Sequence, residues 1–379
     1  MQTRQPRPPN ASTAHLSGRS RRELARRSGR PEQLFGVRLV TLGDGAERGV
    51  RALEFRTGTG LSFDVLVDRA FDLGQCELSG RALAWQSPVG VRGPWYAEPL
   101  GLGFLRNFGG GLLTTGGLDH TLFPTEDSAT QFHYPPKSVE QYGLHGRISN
   151  LPARLAGYGA RWEADICTLW AEGEVTQACS LGERLVLRRR VEAQVGASVI
   201  KIHDEVENVG FDPSPHMFLY HMNLGFPLVD EGARIVLSTG EISPLEDAPL
   251  EAFRRLDAPQ AGMRERVYEF HPAANEDEAT LGVINEAAEL GVYQVFRRSQ
   301  LPHPFIWRML GEGDYVVALE PSTNRVAGRH DARARGELIQ LAPGETRRYD
   351  LEIGALEGLD EIRAFEERLG ASSPAKDQT

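Results

Sequence analysis

From Leu34 onward, apolar residues occur in short β-like runs that Gly, Pro, Asn and Asp interrupt. Because these interruptions are turn signals, the pattern predicts many short strands, as in an all-β sandwich or barrel. Long helical periodicity is missing from the middle of the chain, which disfavours α/β architectures. The clearest predicted strands are 50–56, 61–67, 184–193, 199–206, 337–341 and 348–353.

Two short helices are predicted, one near each end of the chain. Ser20 and Glu23 have the spacing of a capping box, and the helix that they open is expected to run through Arg27. Near the C-terminus, one face of a helical pattern is apolar, and Gly370 follows as a stop signal. That apolar face consists of Leu359, Ile362, Phe365 and Leu369.

Composition divides the chain into three parts. Residues 1–19 are rich in Arg and Pro and have little to bury, so we expect them to be disordered. Residues 20–370 contain no recognisable interdomain linker and are expected to form one β-sandwich domain, followed by a flexible tail at 371–379. The oligomeric state stays open at this point.

Charge and cysteine content exclude several classes of protein. The net charge is −10 and the pI is near 5.6, so no nucleic-acid partner is expected, because phosphate backbones are bound by basic surfaces. No apolar run approaches the roughly 18 residues of a membrane span, so no membrane partner is expected either. The three cysteines, Cys76, Cys167 and Cys179, are odd in number and lack metal-type spacing, which favours a reducing cytoplasm.

The segment 108–120 is rich in glycine, with five glycines between Gly109 and Gly117. Glycine permits close backbone approach to a ligand or unusual dihedral angles. A tight crossing inside a large sheet explains the same composition. The segment is not a phosphate loop, because it lacks both the Walker spacing and a Rossmann strand–helix context.

The segment 144–152 places an imidazole, a guanidinium and an amide close together, at His145, Arg147 and Asn150. Such groups suit the hydroxyls of a sugar, each of which needs a donor or acceptor of fixed direction. A loop histidine with locally satisfied hydrogen bonds is the alternative for His145.

The segment 215–225 is predicted to be a strand, in which alternate residues share a face. His221 and Asn223 then lie on one face, and His216 lies on the other. Polar groups at the end of an apolar strand are typical of a sandwich whose open face holds a ligand. The five-residue separation of the two histidines is poor for zinc, so no metal is expected.

The segment 305–324 contains Glu320, which ends an apolar run and precedes a proline. Burial of a carboxylate raises its pKa and makes it a stronger base. A structural ion pair with an arginine is the alternative for Glu320. Trp307 is a candidate stacking platform for a sugar ring, with a position in the core as the alternative that the apolar run favours, and Arg308 beside it is a candidate for binding an anionic group.

Taken together and in this order, these segments resemble the galactose mutarotase-like superfamily. They look closest to the aldose 1-epimerase-like bacterial proteins grouped as a domain of unknown function. The resemblance covers roughly residues 20–355 and includes 66–74, 108–120, 144–152, 220–227 and 319–321. It implies a large antiparallel β-supersandwich, in agreement with the strand pattern.

The resemblance also implies roles for individual residues. His145 matches the family's sugar-binding His-Gly, and His221 matches its general acid, with one residue fewer than the usual spacing before Asn223. Glu320 with the following proline matches the base. The family's Gly-Arg-x-x-Asn-Arg segment is missing, so the family's arginine is expected at Arg147 or Arg69. Asp119 is the candidate for the family's sugar-binding Asp.

The expected function is therefore that of an aldose 1-epimerase that needs no cofactor and acts on a monosaccharide or sugar derivative. Glu320 would be the base and His221 the acid, with His145 and Arg147 holding hydroxyls or polarising the ring oxygen. One alternative is an epimerase or lyase for a phosphosugar or uronate, bound by Arg147, Arg308 and Arg329. The other is a non-catalytic carbohydrate-binding protein.

Overall fold

The protein is an antiparallel β-sandwich with short terminal helices, which confirms the predicted fold class. The structure, a computed structural model, describes residues 16, 18–130, 132–133, 138–245, 248–250 and 253–371. Most of the predicted disordered segment, and all but the first residue of the predicted tail, lie outside these residues. The predicted domain limits at 20 and 370 stay a prediction.

The described chain is dominated by strands. In chain order they are β1 (Gly36–Thr41), β2 (Arg51–Arg56), β3 (Leu61–Leu66), β4 (Asp72–Leu78), β5 (Arg81–Ala82), β6 (Leu113–Leu118), β7 (Thr125–Ser128), β8 (Val139–Tyr142), β9 (Arg154–Glu163), β10 (Ile166–Ala178), β11 (Arg184–Gln194), β12 (Val199–Asn208), β13 (Ser214–Leu224), β14 (Arg234–Leu237), β15 (Gly240–Pro244), β16 (Arg266–Pro272), β17 (Glu278–Asn285), β18 (Leu290–Arg297), β19 (Phe305–Leu310), β20 (Tyr315–Glu320), β21 (Ile339–Leu341) and β22 (Thr346–Glu357). The α-helices are α1 (Arg21–Ala25), α2 (Arg329–Ala334) and α3 (Leu359–Ala371). None of the described helices is both long and apolar enough to cross a bilayer.

Two large antiparallel sheets form the two layers of the sandwich. The larger has the order β1-β2-β3-β4-β6-β13-β20-β19-β16-β15, with β5 beside β4 and β21 beside β13. The smaller has the order β14-β17-β18-β22-β12-β11-β10-β9, and β7 pairs separately with β8. The six clearest sequence-predicted strands correspond to β2, β3, β11, β12, β21 and β22.

Both terminal helices form where the sequence predicts them. In α1, the Glu23 N–H donates to Ser20 Oγ, and the Ser20 N–H donates to the Glu23 carboxylate at 2.9 Å, which completes the capping box. In α3, Ile362 and Phe365 are buried against the smaller sheet, and the Phe365 ring stacks on Tyr293 at 4.6 Å. Each helix is thus held by the contacts that its sequence pattern provides.

The burial pattern shows which strands are covered on one face and which on both. Along β10, buried and more exposed residues alternate, because one face packs into the core and the other faces solvent. Every residue of β6 and of β13 is buried. The centre of the larger sheet is therefore covered on its outer face as well, and the candidate site lies in this outer layer.

Candidate active site

Strand β13 divides its side chains between the core and the outer layer. Phe218, Tyr220 and Met222 point into the core between the sheets. His216 shares their face, where it is within hydrogen-bond distance of the Leu118 carbonyl and the Tyr349 hydroxyl, both at 2.7 Å. His221 lies on the outer face, as the alternation along the strand predicts.

Strand register brings Glu320 opposite His221. In the β13–β20 pair, Met222 is the partner of Leu319, and the Tyr220 N–H donates to the Pro321 carbonyl. Continuing this antiparallel register makes His221 and Glu320 direct cross-strand neighbours. Their Nε2 and Oε1 atoms are 3.6 Å apart, which is too long for a direct hydrogen bond. The two groups that the sequence singled out thus meet as a pair.

Burial controls the protonation of this pair. His221 is 6% exposed and Glu320 is 1% exposed. Burial lowers the pKa of His221 to about 4, and burial together with the nearby Glu265 raises the pKa of Glu320 well above its ordinary value. Both shifts favour the uncharged forms. The two shifts together favour a proton on Glu320 and a neutral imidazole at His221.

Aromatic rings enclose the imidazole of His221. The Phe108 ring is 5.1 Å from it and the Trp307 ring 5.8 Å, measured between ring centroids. Phe104 stacks on Phe108 and contacts the edge of His145. These rings exclude water from the pair, which is the reason for the pKa shifts, and they offer apolar surface to a bound ligand.

His145 joins the pair from a loop rather than from a strand. Its backbone φ of +55° is sterically unfavourable for a residue with a Cβ, and its carbonyl accepts from the Gly117 N–H. Its ring lies 5.4 Å from that of His221, and burial lowers its pKa well below the usual value. An uncharged imidazole is thus placed beside the acid–base pair.

Two more polar groups border the pair on the same face of the sheet. Thr114 of β6 is the cross-strand partner of His221. The Asn223 amide donates to the carbonyls of Gly111 and His221, which leaves its buried Oδ1 without a hydrogen-bond partner among the described residues. The side-chain Nδ1 atoms of His145 and His221 are likewise buried and unpartnered there. These atoms are available to a bound ligand.

Glu265 is a neighbour that the sequence pattern did not identify. Its carboxylate accepts a hydrogen bond of 2.7 Å from the Trp307 indole, and its charge contributes to the raised pKa of Glu320. Phe104 and Phe108 were missed as well. The sequence gives no signal for the contacts of these three residues with Trp307, His145 and His221, because those contacts join residues that lie far apart along the chain.

The arginine candidates form contacts elsewhere. Arg308 is adjacent to Trp307 on β19, so the two side chains point to opposite faces of the sheet. The Arg308 guanidinium donates to the carbonyls of Phe253 and Arg255. Arg147 forms an ion pair with Glu183. These contacts are structural, and they leave neither guanidinium beside Glu320.

Arg69, Arg329 and Asp119 also have partners of their own. Arg69 donates to three backbone carbonyls, and Arg329 pairs with Asp127 and donates to the Asp119 carbonyl. The Asp119 carboxylate accepts from Gln177 at 2.6 Å. The structure therefore brings His145, His221, Asn223, Trp307 and Glu320 together, whereas Asp119, Arg308 and Arg329 are bonded to other residues.

The glycine-rich segment is explained by packing of the backbone. A Cβ atom at Gly110 would lie 2.5 Å from the Trp85 carbonyl oxygen, and one at Gly111 would lie 2.7 Å from that of Leu73. Both residues also have positive φ, at +77° and +86°. The tight crossing inside the sheet is thus the alternative that the structure favours. In the described part of the chain, no cluster of three or more His, Cys, Asp or Glu side chains could hold a metal ion.

Comparisons with known proteins agree with this fold. The DUF4432 family, a domain of unknown function, matches residues 47–355. No curated protein matches the chain. Among solved structures, a suggested aldose 1-epimerase from Klebsiella pneumoniae is 24% identical, with a TM-score of 0.80 over 92% of this chain and 93% of that one. A galactose mutarotase-like protein from Clostridium acetobutylicum is 11% identical, with a TM-score of 0.57 over 85% and 98%.

Proposed function

The chain belongs to the DUF4432 family, and we propose that it is an aldose 1-epimerase, which interconverts the α and β anomers of a free sugar. The observation that carries the proposal is the His221–Glu320 pair. Two ionisable groups stand 3.6 Å apart, both buried, and no Arg or Lys of the described residues is hydrogen-bonded to either. A structural ion pair in the core would be closer and fully hydrogen-bonded.

Mutarotation requires a base and an acid that act together. The base removes the proton of the anomeric hydroxyl while the acid protonates the ring oxygen, and the ring opens to the free aldehyde. Rotation about the bond between the first two carbons turns the carbonyl over, and the same two groups then close the ring. One proton shared by two groups is sufficient for this cycle, and the opposite pKa shifts of Glu320 and His221 support such sharing.

The direction of proton flow follows from where the shared proton starts. We propose Glu320 as base and His221 as acid, which requires that the proton of the pair passes from Glu320 to His221 when a sugar binds. Sugar hydroxyls that donate to the Glu320 carboxylate would stabilise its ionised form and drive this transfer. The open-chain stage has the opposite protonation, so both forms of the pair occur in every turnover.

The surrounding residues provide recognition. In this proposal Trp307 and Phe108 provide apolar ring surface for the sugar, and the unpartnered polar atoms of His145 and Asn223 bind its hydroxyls. The carboxylate of Glu265 also acts on Glu320, whose pKa it raises. A carboxylate near the pair disfavours an anionic substrate, so we propose a neutral sugar.

Anomer exchange measured by NMR tests the proposal. Hexoses, pentoses, uronates and phosphosugars are compared in dilute buffer, because buffers catalyse the background reaction. We expect acceleration for one group of neutral sugars and a loss of about 10²–10⁴-fold in Glu320→Gln, the range typical of a positioned acid or base.

Glu320→Gln, purified in parallel, is also the control for contaminating epimerase. Equal acceleration by both proteins would refute the acid–base role of Glu320. Saturable sugar binding by the wild type with no faster exchange would instead support a carbohydrate-binding protein.

A further inference from the structure

Asn223 lies two residues after His221 on β13, and its side chain turns back toward that histidine. Alternate residues of a strand share a face, so both side chains belong to the outer layer. The Asn223 Nδ2 donates to the backbone carbonyl of His221 at 3.0 Å and to that of Gly111 at 3.2 Å. The amide group is therefore held against the backbone of the residue whose imidazole belongs to the acid–base pair.

These two hydrogen bonds determine which way the amide of Asn223 points. If Nδ2 and Oδ1 exchanged places, the amide oxygen would face two carbonyl oxygens, none of which can donate. Oδ1 is consequently the end of the amide that is left over. It is buried and has no hydrogen-bond partner among the described residues, so a donor is required to offset the cost of its burial.

The imidazole of His221 has the complementary atom. Its Nε2 faces Glu320 Oε1 at 3.6 Å, whereas its Nδ1 is buried and, within the described part of the chain, also lacks a partner. Burial lowers the pKa of His221 to about 4, and hydrogen bonding with the Asn223 side chain and with the residue's own carbonyl opposes this shift. Hydrogen-bond acceptors therefore adjoin the imidazole, and Nδ1 is the ring atom that remains to donate to them.

We propose that Asn223 is a positioning residue, whose Oδ1 accepts the Nδ1–H of His221 and so reserves Nε2 for proton exchange. A neutral imidazole carries one proton, on either nitrogen. With that proton on Nδ1, Nε2 presents a lone pair to Glu320 and can take up its proton. With the proton on Nε2, the pair could not transfer it in this direction.

The proposal rests on the proposed function in that the transferred proton serves the opening of a sugar ring. It is compatible with sugar binding by Asn223, because an amide oxygen has two lone pairs and can accept from His221 and from a hydroxyl together.

An amide suits this position better than a carboxylate. The titratable groups that face His221 from other elements are Glu320 on β20 and His145 on its loop, and Glu265 is hydrogen-bonded to Trp307, whose ring contacts His221. Burial favours the neutral forms of Glu320 and His145. A neutral acceptor at Nδ1 sets the tautomer without fixing a positive charge on the imidazole, so His221 can both take up and release a proton.

Two substitutions at Asn223 separate the role of the oxygen from that of the nitrogen. Asn223→Asp keeps an acceptor and loses the Nδ2 donor, whereas Asn223→Leu loses both. Nitrogen NMR of the histidine side chains measures the tautomer and the pKa of His221, and the spectrum of His221→Gln assigns its signals. In the wild type we expect a neutral imidazole that is protonated on Nδ1.

The two variants should differ in direction. Asn223→Asp should keep the proton on Nδ1 and raise the pKa of His221 by about one pH unit or more, because a carboxylate stabilises the imidazolium. Asn223→Leu should move the proton of the neutral imidazole toward Nε2 and lower kcat for anomer exchange by about 10- to 100-fold. Asn223→Asp should retain more of the wild-type kcat than Asn223→Leu.

Asn208 provides the matched control, because it is buried and its Nδ2 donates to the carbonyls of Asp212 and Leu341, both at 2.8 Å. Asn208→Asp and Asn208→Leu should leave the tautomer of His221 unchanged and alter kcat less than about threefold. Equal effects of Asn223→Asp and Asn223→Leu on tautomer and kcat would show that only the Nδ2 hydrogen bonds matter, and would overturn the proposal. If Asn223→Leu does not fold, the tautomer in the wild type and in Asn223→Asp still decides.

The tautomer is measured without turnover, which separates this proposal from the preceding one. A wild type with His221 protonated on Nδ1, but with no faster anomer exchange, would contradict the epimerase and support the positioning role of Asn223. A wild type that accelerates exchange with its neutral His221 protonated on Nε2 would overturn the positioning role alone.

Discussion

Two buried ionisable clusters lie on opposite faces of the larger sheet, and they differ in how far their charges are compensated. On the core face, Arg189 donates to Asp204 and Asp72 at 2.6–2.9 Å, and Tyr220 donates to Asp204 at 2.7 Å. On the outer face, the residue next to Tyr220 is His221, which faces Glu320 at 3.6 Å. The two clusters are one residue apart on β13.

The difference shows in the pKa values. Burial alone would lower the pKa of Arg189, but the two aspartates raise it, so Arg189 stays positively charged. Burial without a counter-charge instead raises the pKa of Glu320 and lowers the pKa of His221, so that both groups favour their neutral forms. A buried charge with complete partners holds the structure together, whereas a buried pair without them can exchange protons with a ligand.

Breaking the compensated cluster should have the largest effect on stability. Arg189→Met leaves Asp72 and Asp204 buried without their cation, and we expect a loss of about 3–5 kcal/mol in the free energy of unfolding, measured in urea. Arg190→Met is the control, because Arg190 forms partly exposed ion pairs with Glu172 and Glu192 and should cost less than about 1 kcal/mol. Similar losses of stability in both variants would show that the buried cluster contributes no more than a partly exposed ion pair.

Acid should destabilise the protein through His221. With a folded pKa of about 4 and an ordinary value of 6.5, the folded state binds fewer protons than the unfolded state between these pH values. Stability therefore falls as pH drops from about 6.5 to about 4, by about 3 kcal/mol from this group. His221→Gln should remove this contribution to the pH dependence of the free energy of unfolding. An unchanged pH dependence of unfolding in the variant would contradict the buried neutral imidazole.

Glu320→Gln should separate stability from activity. The pKa of Glu320 is raised in the folded state, so its contribution to stability is present below about 4.5 and is lost as pH rises through the folded value. Glutamine does not titrate, so the variant should differ by less than about 1 kcal/mol at pH 5 and become increasingly more stable than the wild type at higher pH. Urea unfolding at several pH values measures this difference, and a variant less stable at pH 8 would show that Glu320 is ionised and stabilising.

Glu265→Gln should give the smallest effect. Its carboxylate raises the pKa of Glu320 beyond what burial does, so its removal should shift the alkaline limb of kcat/KM to lower pH, by less than about one unit. High salt should reduce the difference between variant and wild type. No shift at low salt would mean that the charge of Glu265 does not reach the pair.

Sequence patterns predicted the elements well and the site in part. The capping box of α1, the apolar face of α3 and the side of β13 on which His221 lies all follow from local spacing. The same alternation shows why Trp307 and Arg308 could not both belong to the site, since adjacent residues of a strand point to opposite faces.

The sequence by itself determined which segments are strands, which face each side chain takes and which residue types could exchange a proton, because these depend on neighbours a few residues away. Tertiary structure decided that His221 meets Glu320, that Phe104 and Phe108 cover them, and that the candidate arginines pair elsewhere. Those contacts join residues up to 202 positions apart in the chain, and the register and burial of whole sheets fix them. The pKa values of the pair are a consequence of that burial, so they exist only in the folded protein.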